Sequence, residues 1–449
     1  MKETLASLSE KNWVKALTWL IRILVGALFI FSGFAKCIDP YGTFYKMMDY
    51  VGVLGLSFVT DGLVISAAFG LSILEFLTGV FLATGCFRRF TPILLSIIML
   101  FMLPLTLWIL LKNPVSDCGC FGDAYIISNA VTFWKNVAIS IGAVWLLCFN
   151  RTIGWLIRPY MQWMAVVASG SYAAALCYIG YSYQPLLDFR PFPEGSKLYT
   201  AENISNEESE PELVFIYEKD GRQQEFSEDN LPDENDGWVF VDRKEIQKSD
   251  ASNNMVVTSG AAGFVLWDEK EDIDVTEDVL GDNENRVLIL FPTLSDTSLA
   301  ASYTINSMHS WAIDHDIDFA AIVGATTEEI EKWKDLSMPD YPIYRAEDTS
   351  IKEIARGNPA VVYLENGVII WKRTLSSLPI QDFLDEDTPQ SAMDFQIDNK
   401  RILLNISLLY IAVMCMLSAF SFIPVLNSLI MQTRPSKGKG RSESGGPEV

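Results

Sequence analysis

Six stretches of this chain are too long and too apolar to sit on the surface of a water-soluble fold. They lie near residues 16–36, 62–85, 90–111, 128–149, 161–183 and 402–425, each close to the roughly 20 residues a helix needs to cross a bilayer. None keeps the polar face that a surface helix carries. The first is too long, and lacks the small-residue cleavage site, to be a removed signal peptide. The expected fold class is a polytopic α-helical membrane protein with an inserted extracytoplasmic α/β domain.

The net charge of −22 is unevenly spread. Residues 184–400 carry −29, and the rest of the chain carries +7. So acidic a segment has no basic surface for nucleic acid, and it suits a soluble region held off anionic lipid. Lys2, Lys11 and Lys15 precede the first span, Arg88 and Arg89 fill the second turn, and Arg151 and Arg158 the fourth. Arg434, Lys437, Lys439 and Arg441 follow the last span. If every span crosses, these cations share one side, which the positive-inside rule makes cytoplasmic. The expected location is a bacterial inner membrane, with both termini inside and residues 184–400 outside. The expected division is a four-helix transmembrane domain over 1–150, a fifth span over 151–183 and a β-rich segment over 184–259. An α/β domain over 260–385, a linker with the sixth span over 386–432 and a disordered tail over 433–449 complete it.

The seven cysteines avoid the acidic region altogether. A disulfide-stapled external domain would show the reverse. Cys118 and Cys120 sit in the loop Asp117-Cys-Gly-Cys-Phe-Gly-Asp123, Cys37 at the outer end of the first span, and Cys177 about two turns below the outer end of the fifth. Thiol–disulfide exchange proceeds through a mixed disulfide, so Cys118 and Cys120 are candidate exchanging thiols with Cys37 as a third partner for either. The alternatives are a fixed disulfide closing the loop onto the first helix, or a glycine turn with inert cysteines. No metal site is expected, because thiolate sites usually need four ligands.

Glu75 lies near the middle of the second span, where a carboxylate is costly and is usually functional or paired. Its candidate partners are Lys36, Lys135 and Asn136, and it reads as a proton acceptor or a polar contact to a quinone or lipid head group, or else as a protonated glutamic acid hydrogen-bonding between helices. Arg22 is expected to snorkel to the cytoplasmic interface. Tyr41–Leu54 reads as an amphipathic helix on the outer face.

Phe29-Ile-Phe-Ser-Gly-Phe-Ala-Lys36 followed by Asp39-Pro40 resembles the first-helix signature of DoxX-like membrane proteins, and Glu75 with Gly79 fits the second. Cys118-Gly-Cys-Phe-Gly-Asp123, then Thr132 and Lys135-Asn136, resembles the related MauE branch. The resemblance covers about residues 12–150. It implies a four-helix bundle that supports disulfide formation or maturation of an exported partner. Relatives linked to quinone carry a Cys-x-x-Cys pair in a helix, which this chain lacks.

In the acidic region, Glu212–Tyr217 and Arg222–Phe226 flank the turn Lys219-Asp220-Gly221, and Trp238–Val241 reads as another strand. Asn206–Glu210 reads as a mobile loop. From 260 onward the pattern is βαβαββ: strands at 286–291 and 319–323, helices at 298–315 and 327–336, a connector at 341–344, a helix near 351–356, and a hairpin through Asn366-Gly367. Pro292-Thr-Leu-Ser-Asp296 after the first of these strands, and Asn358-Pro359 before a later one, resemble the thioredoxin-like fold. There the first site holds Cys-x-x-Cys and the second a cis-proline. With no cysteine here, the domain is expected to lack thiol chemistry of its own. A groove beside Pro359 remains a candidate for binding an extended peptide.

Together these readings anticipate a membrane thiol-redox or maturation factor for exported, periplasmic client proteins, in contact with lipid. Its candidate catalytic residues are Cys118, Cys120, Cys37 and Glu75. The alternative is a non-enzymatic assembly subunit whose acidic domain recruits envelope partners.

Overall fold

The computed structural model describes residues 9–379 and 396–433, apart from 57, 116, 200–211, 220–221, 228–238, 247–263, 272, 282–283 and 295–298. Its contacts divide the chain into two units, residues 1–189 with 397–449, and residues 190–396.

The described part of the first unit is helical, without strands: α1 Asn12–Ile38, α2 Pro40–Val53, α3 Asp61–Thr84, α4 Phe90–Lys112, α5 Asn129–Cys148, α6 Gln162–Ser182, and the last helix described, Asn399–Thr433. Among the described residues, six helical segments are long and apolar enough to cross a bilayer, and each overlaps a span expected from sequence. The short α2 starts where the sequence turns polar. Pro40 opens it and the Asp39 carboxylate accepts from Gly42 N at 3.0 Å, an N-terminal cap with proline at the first helical position.

The tightest crossing is between α1 and α3. A Cβ on Gly33 would lie 2.3 Å from Phe76 N, and one on Gly79 2.4 Å from Ile30 N. The two backbones are therefore in contact, a packing that only glycine permits and that supplies association between helices in lipid. One core, with Val25, Phe29, Leu82, Leu95 and Ile139, lies between α1, α3, α4 and α5. A second, with Cys37, Phe76, Tyr172, Cys177 and Leu417, joins α1 and α3 to α6 and the last helix. In it Tyr172 stacks on Tyr410 at 4.4 Å, while Tyr172 Oη and Ser407 Oγ share a hydrogen bond of 2.9 Å.

Arg22 is buried in the bundle, and its Nη1 reaches the turn after α5, donating to the carbonyl of Gly154 at 2.9 Å.

Among its described residues, the second unit holds two sheets. Strands β1 Glu212–Lys219, β2 Arg222–Ser227 and β3 Val239–Ile246 form an antiparallel sheet in the order β2-β1-β3. The turn at 220–221, the loop at 206–210 and the tail from 435 lie outside the described residues. After α7 Thr276–Leu280 come β4 Arg286–Phe291, α8 Leu299–Asp314, β5 Asp318–Val323, α9 Thr327–Ser337, β6 Ile343–Arg345, α10 Asp348–Ile354, β7 Ala360–Glu365 and β8 Val368–Thr374. The five strands run β6-β5-β4-β7-β8, parallel from β6 to β4 and antiparallel at β7 and β8. All six residues of β4 are buried, as expected for a central strand covered on both faces. Two cores fill those faces, one around Phe291, Trp311, Trp333 and Trp371, the other around Leu266, Leu288, Ile351 and Val362.

The segment expected as a connector at 341–344 contains a strand instead. Ile343–Arg345 extends the sheet edge by pairing with Ala321–Val323. Three residues are too few to show the alternation that marks a strand in sequence. Helix α9 is held by a capping box: Thr326 Oγ1 accepts from Glu329 N, and the Glu329 carboxylate accepts from Thr326 N.

Candidate functional site

The loop between α4 and α5 folds back on the ends of α1 and α2. Asp117 organises it. One carboxylate oxygen pairs with Lys46 of α2, and the other accepts from Gly119 N at 2.8 Å. Gly119 and Gly122 both have positive φ, 67° and 56°, so the chain reverses tightly here. Tyr50 Oη donates to the carbonyl of Cys118 at 3.2 Å. Phe121 packs against Phe31 of α1, with ring centroids 5.4 Å apart.

This turn brings the Cys118 and Cys120 sulfurs to 3.1 Å, in hydrogen-bond contact. The pair is electrostatically asymmetric. The Cys118 thiol can donate to a Cys120 thiolate, and this holds the Cys120 pKa below its ordinary value. Burial opposes the shift, while the Lys135 and Lys36 cations reinforce it. Cys118 is pushed the other way, by the same hydrogen bond and by burial. Cys120 is therefore the better nucleophile, since the thiolate is the reactive form.

Beneath the loop lies the intramembrane ion pair. Lys36 Nζ reaches both oxygens of Glu75 at 2.8 Å, with both side chains almost completely buried. Of the three partners anticipated for Glu75, Lys36 is the one in direct contact. Lys135 places its Nζ 4.2 Å from the centre of the Phe121 ring, a cation–π contact. Asn136 Nδ2 donates to Thr106 Oγ1 at 3.4 Å. Lys36, Glu75, Cys120, Lys135 and Asn136 nevertheless line one cavity, which also takes in Ser32.

Ser32 is the residue that sequence reasoning missed. Its Oγ lies 2.7 Å from Glu75 Oε2 and 2.6 Å from the carbonyl of Cys120. It ties the ion pair to the thiol loop, and its single proton satisfies one of these acceptors at a time. The available signal was spacing, because Ser32 sits one turn before Lys36 and so shares its helix face.

The cavity has a volume of about 40 Å³. A water needs roughly 10–15 Å³ on this measure, whereas a 150 Å³ cavity accepts benzene. The enclosed space is the size of two or three waters.

Cys37 is not beside the loop thiols. It is turned into the other core, where its side chain interacts with that of Cys177 from α6. The anticipated pairing with Cys118 or Cys120 fails because residues 36 and 37 point about 100° apart around the helix. Lys36 faces the loop and Cys37 faces α6.

In the second unit, the Asn358–Pro359 peptide is cis. Asn358 Nδ2 donates to Thr293 Oγ1 at 2.9 Å, so the segment before β7 lies beside the loop that follows β4. Pro359 itself is half-buried.

No curated protein matches this chain. Residues 211–249, which contain β1, β2 and β3, match a domain of unknown function (DUF8463). Residues 14–149 match the family of methylamine utilisation protein MauE. The chain is thus a multi-pass membrane protein whose first four spans are MauE-like.

Proposed function

We propose that this protein is a membrane thiol-exchange factor that supports maturation of exported proteins, with Cys118 and Cys120 as the exchanging pair. The observation carrying this reading is their 3.1 Å contact in a loop near two cations, the buried Lys36 and the half-buried Lys135. A Cys120 thiolate attacks a disulfide sulfur of a client, forming a mixed disulfide and releasing one client thiolate. The Cys118 thiol then attacks Cys120 sulfur, closing the loop disulfide and releasing the second client thiol. Atoms balance: one disulfide passes from client to loop, and the reverse sequence donates it. Glu75, linked to the loop through Ser32, is a nearby site for a proton. No step passes through a quinone. The MauE-like spans support a membrane accessory or maturation role.

The second unit fits a thioredoxin-like reading, with a central β4, antiparallel β7 and β8, and a cis-proline before β7. Without cysteine it would present rather than oxidise a client, by pairing an extended segment beside Pro359.

Trapping tests the exchange. In Cys118→Ser protein the mixed disulfide on Cys120 should persist, and exported partners should be recovered on it by mass spectrometry of unreduced samples. Cys120→Ser should abolish these adducts. Adducts that survive Cys118→Ser/Cys120→Ser would sink the proposal, and a loop bond that stays oxidised in mild reductant would favour a structural disulfide.

A further inference from the structure

A second thiol pair is left unused by the loop chemistry. Cys37 and Cys177 interact side chain to side chain, on separate helices and almost completely buried. A close backbone approach puts them there. A Cβ on Gly180, one turn beyond Cys177, would lie 2.2 Å from the carbonyl oxygen of Ile38 and 2.9 Å from Pro40 Cδ. The outer end of α1 and the outer turns of α6 therefore meet at backbone distance. Tyr41 stacks on Tyr181 at 5.2 Å beside this junction. A lone buried cysteine behaves as a small hydrophobe. Two that meet across a fixed helix contact are different, because a disulfide needs backbones that already stand close and side chains turned toward each other. Cys177 also lies beyond residues 14–149, the MauE-like part, so a bond here would tie that bundle to an added helix.

We infer that Cys37 and Cys177 are a second redox-active dithiol, which closes into a disulfide between α1 and α6 when a disulfide-class oxidant reaches it. The step is a two-stage exchange. One thiolate attacks the oxidant, forming a mixed disulfide and expelling one thiol. The other thiol attacks the protein sulfur of that bond, expelling the second. Two S–H bonds become one S–S bond, and the oxidant leaves as two thiols. This couple does not depend on the loop pair, because any disulfide serves.

The test uses full-length protein in membranes and dipyridyl disulfide, an apolar oxidant able to enter lipid. Unreduced digests should yield a peptide joining Cys37 to Cys177, with two pyridinethiones released per pair. The joined peptide should form equally in Cys118→Ser/Cys120→Ser protein, which separates this inference from the proposed loop exchange. In Cys177→Ala protein, Cys37 should instead stop as a single pyridyl adduct, releasing one thione. Recovery of Cys37 and Cys177 from the wild type as separate adducts, or as free thiols after full oxidation of the loop pair, would overturn it.

Discussion

At the scale of single residues, the thiol loop depends on unequal neighbours. Cys120 has a sulfur donor in Cys118 and two lysines nearby, and these outweigh its burial. A lowered thiol pKa means that Cys120 stays ionised, and reactive, at a pH where a free cysteine is mostly protonated. Its alkylation rate should therefore hold steady at neutral pH and fall as pH drops through the lowered value. The midpoint should lie below the roughly 8.5 of an unperturbed thiol. Cys118→Ala removes the main cause and should move that midpoint up, and Lys135→Met should move it up less. Site-resolved iodoacetamide labelling across pH reads both shifts; an unchanged midpoint in Cys118→Ala would refute the asymmetry. The Lys36–Glu75 pair makes a separate demand. Both groups are buried, so removing one leaves the other unpaired, which typically costs about 3–5 kcal/mol, whereas replacing both with apolar groups is often neutral. Lys36→Met should lower the thermal midpoint in detergent markedly, and Lys36→Met/Glu75→Leu should recover most of the loss. Additive losses would show that the two do not act as a pair.

At the scale of elements, the site exists because α1 and α3 touch. Gly33 and Gly79 let Ser32, Lys36 and Glu75 meet across one crossing. Gly79→Ala forces a methyl group against the Ile30 amide. Overpacking of this kind costs roughly 1–3 kcal/mol, and the change should both destabilise the bundle and loosen the loop. Matching losses in thermal stability and in the protection of Cys120 from alkylation would support that link; normal protection in a destabilised variant would break it. The elements themselves were largely legible in the sequence. Long apolar runs gave the spans, and period and turn chemistry gave most of the second unit, down to the Asn366–Gly367 turn, where both residues have positive φ. Strand β6 escaped because three residues carry no period. The site was legible as a set of residue types, Glu75 with a nearby lysine and a Cys-x-Cys loop. Its connections were not. Whether Lys36 or Lys135 met Glu75, and whether Cys37 faced the loop or α6, depends on helix rotation and crossing. Those are set by glycine contacts between segments far apart in sequence. The partner of Arg22 is of the same kind, since its acceptor at Gly154 is 132 residues away.

At the scale of the whole molecule, the charge pattern predicts an orientation that can be measured. A basic cluster in each turn on one side, and a segment of net charge −29 that begins after α6, are arranged as the positive-inside rule requires of a protein with both ends in the cytoplasm. On that proposal the thiol loop faces the compartment where disulfides persist, as exchange with exported clients requires. Cys148 reports on the opposite side, since it is exposed at the far end of α5 from the loop. In intact cells with a permeabilised outer envelope, a membrane-impermeant maleimide should label Cys118 or Cys120 after mild reduction and leave Cys148 untouched. In inverted vesicles the pattern should reverse. The segment 190–396 should follow the loop, digested from outside in the first preparation and protected in the second. The opposite result would put Cys118 and Cys120 in a reducing compartment. It would remove the reason for an oxidised loop and leave only a reductive role for the pair, so this measurement constrains the direction of exchange before any client is known.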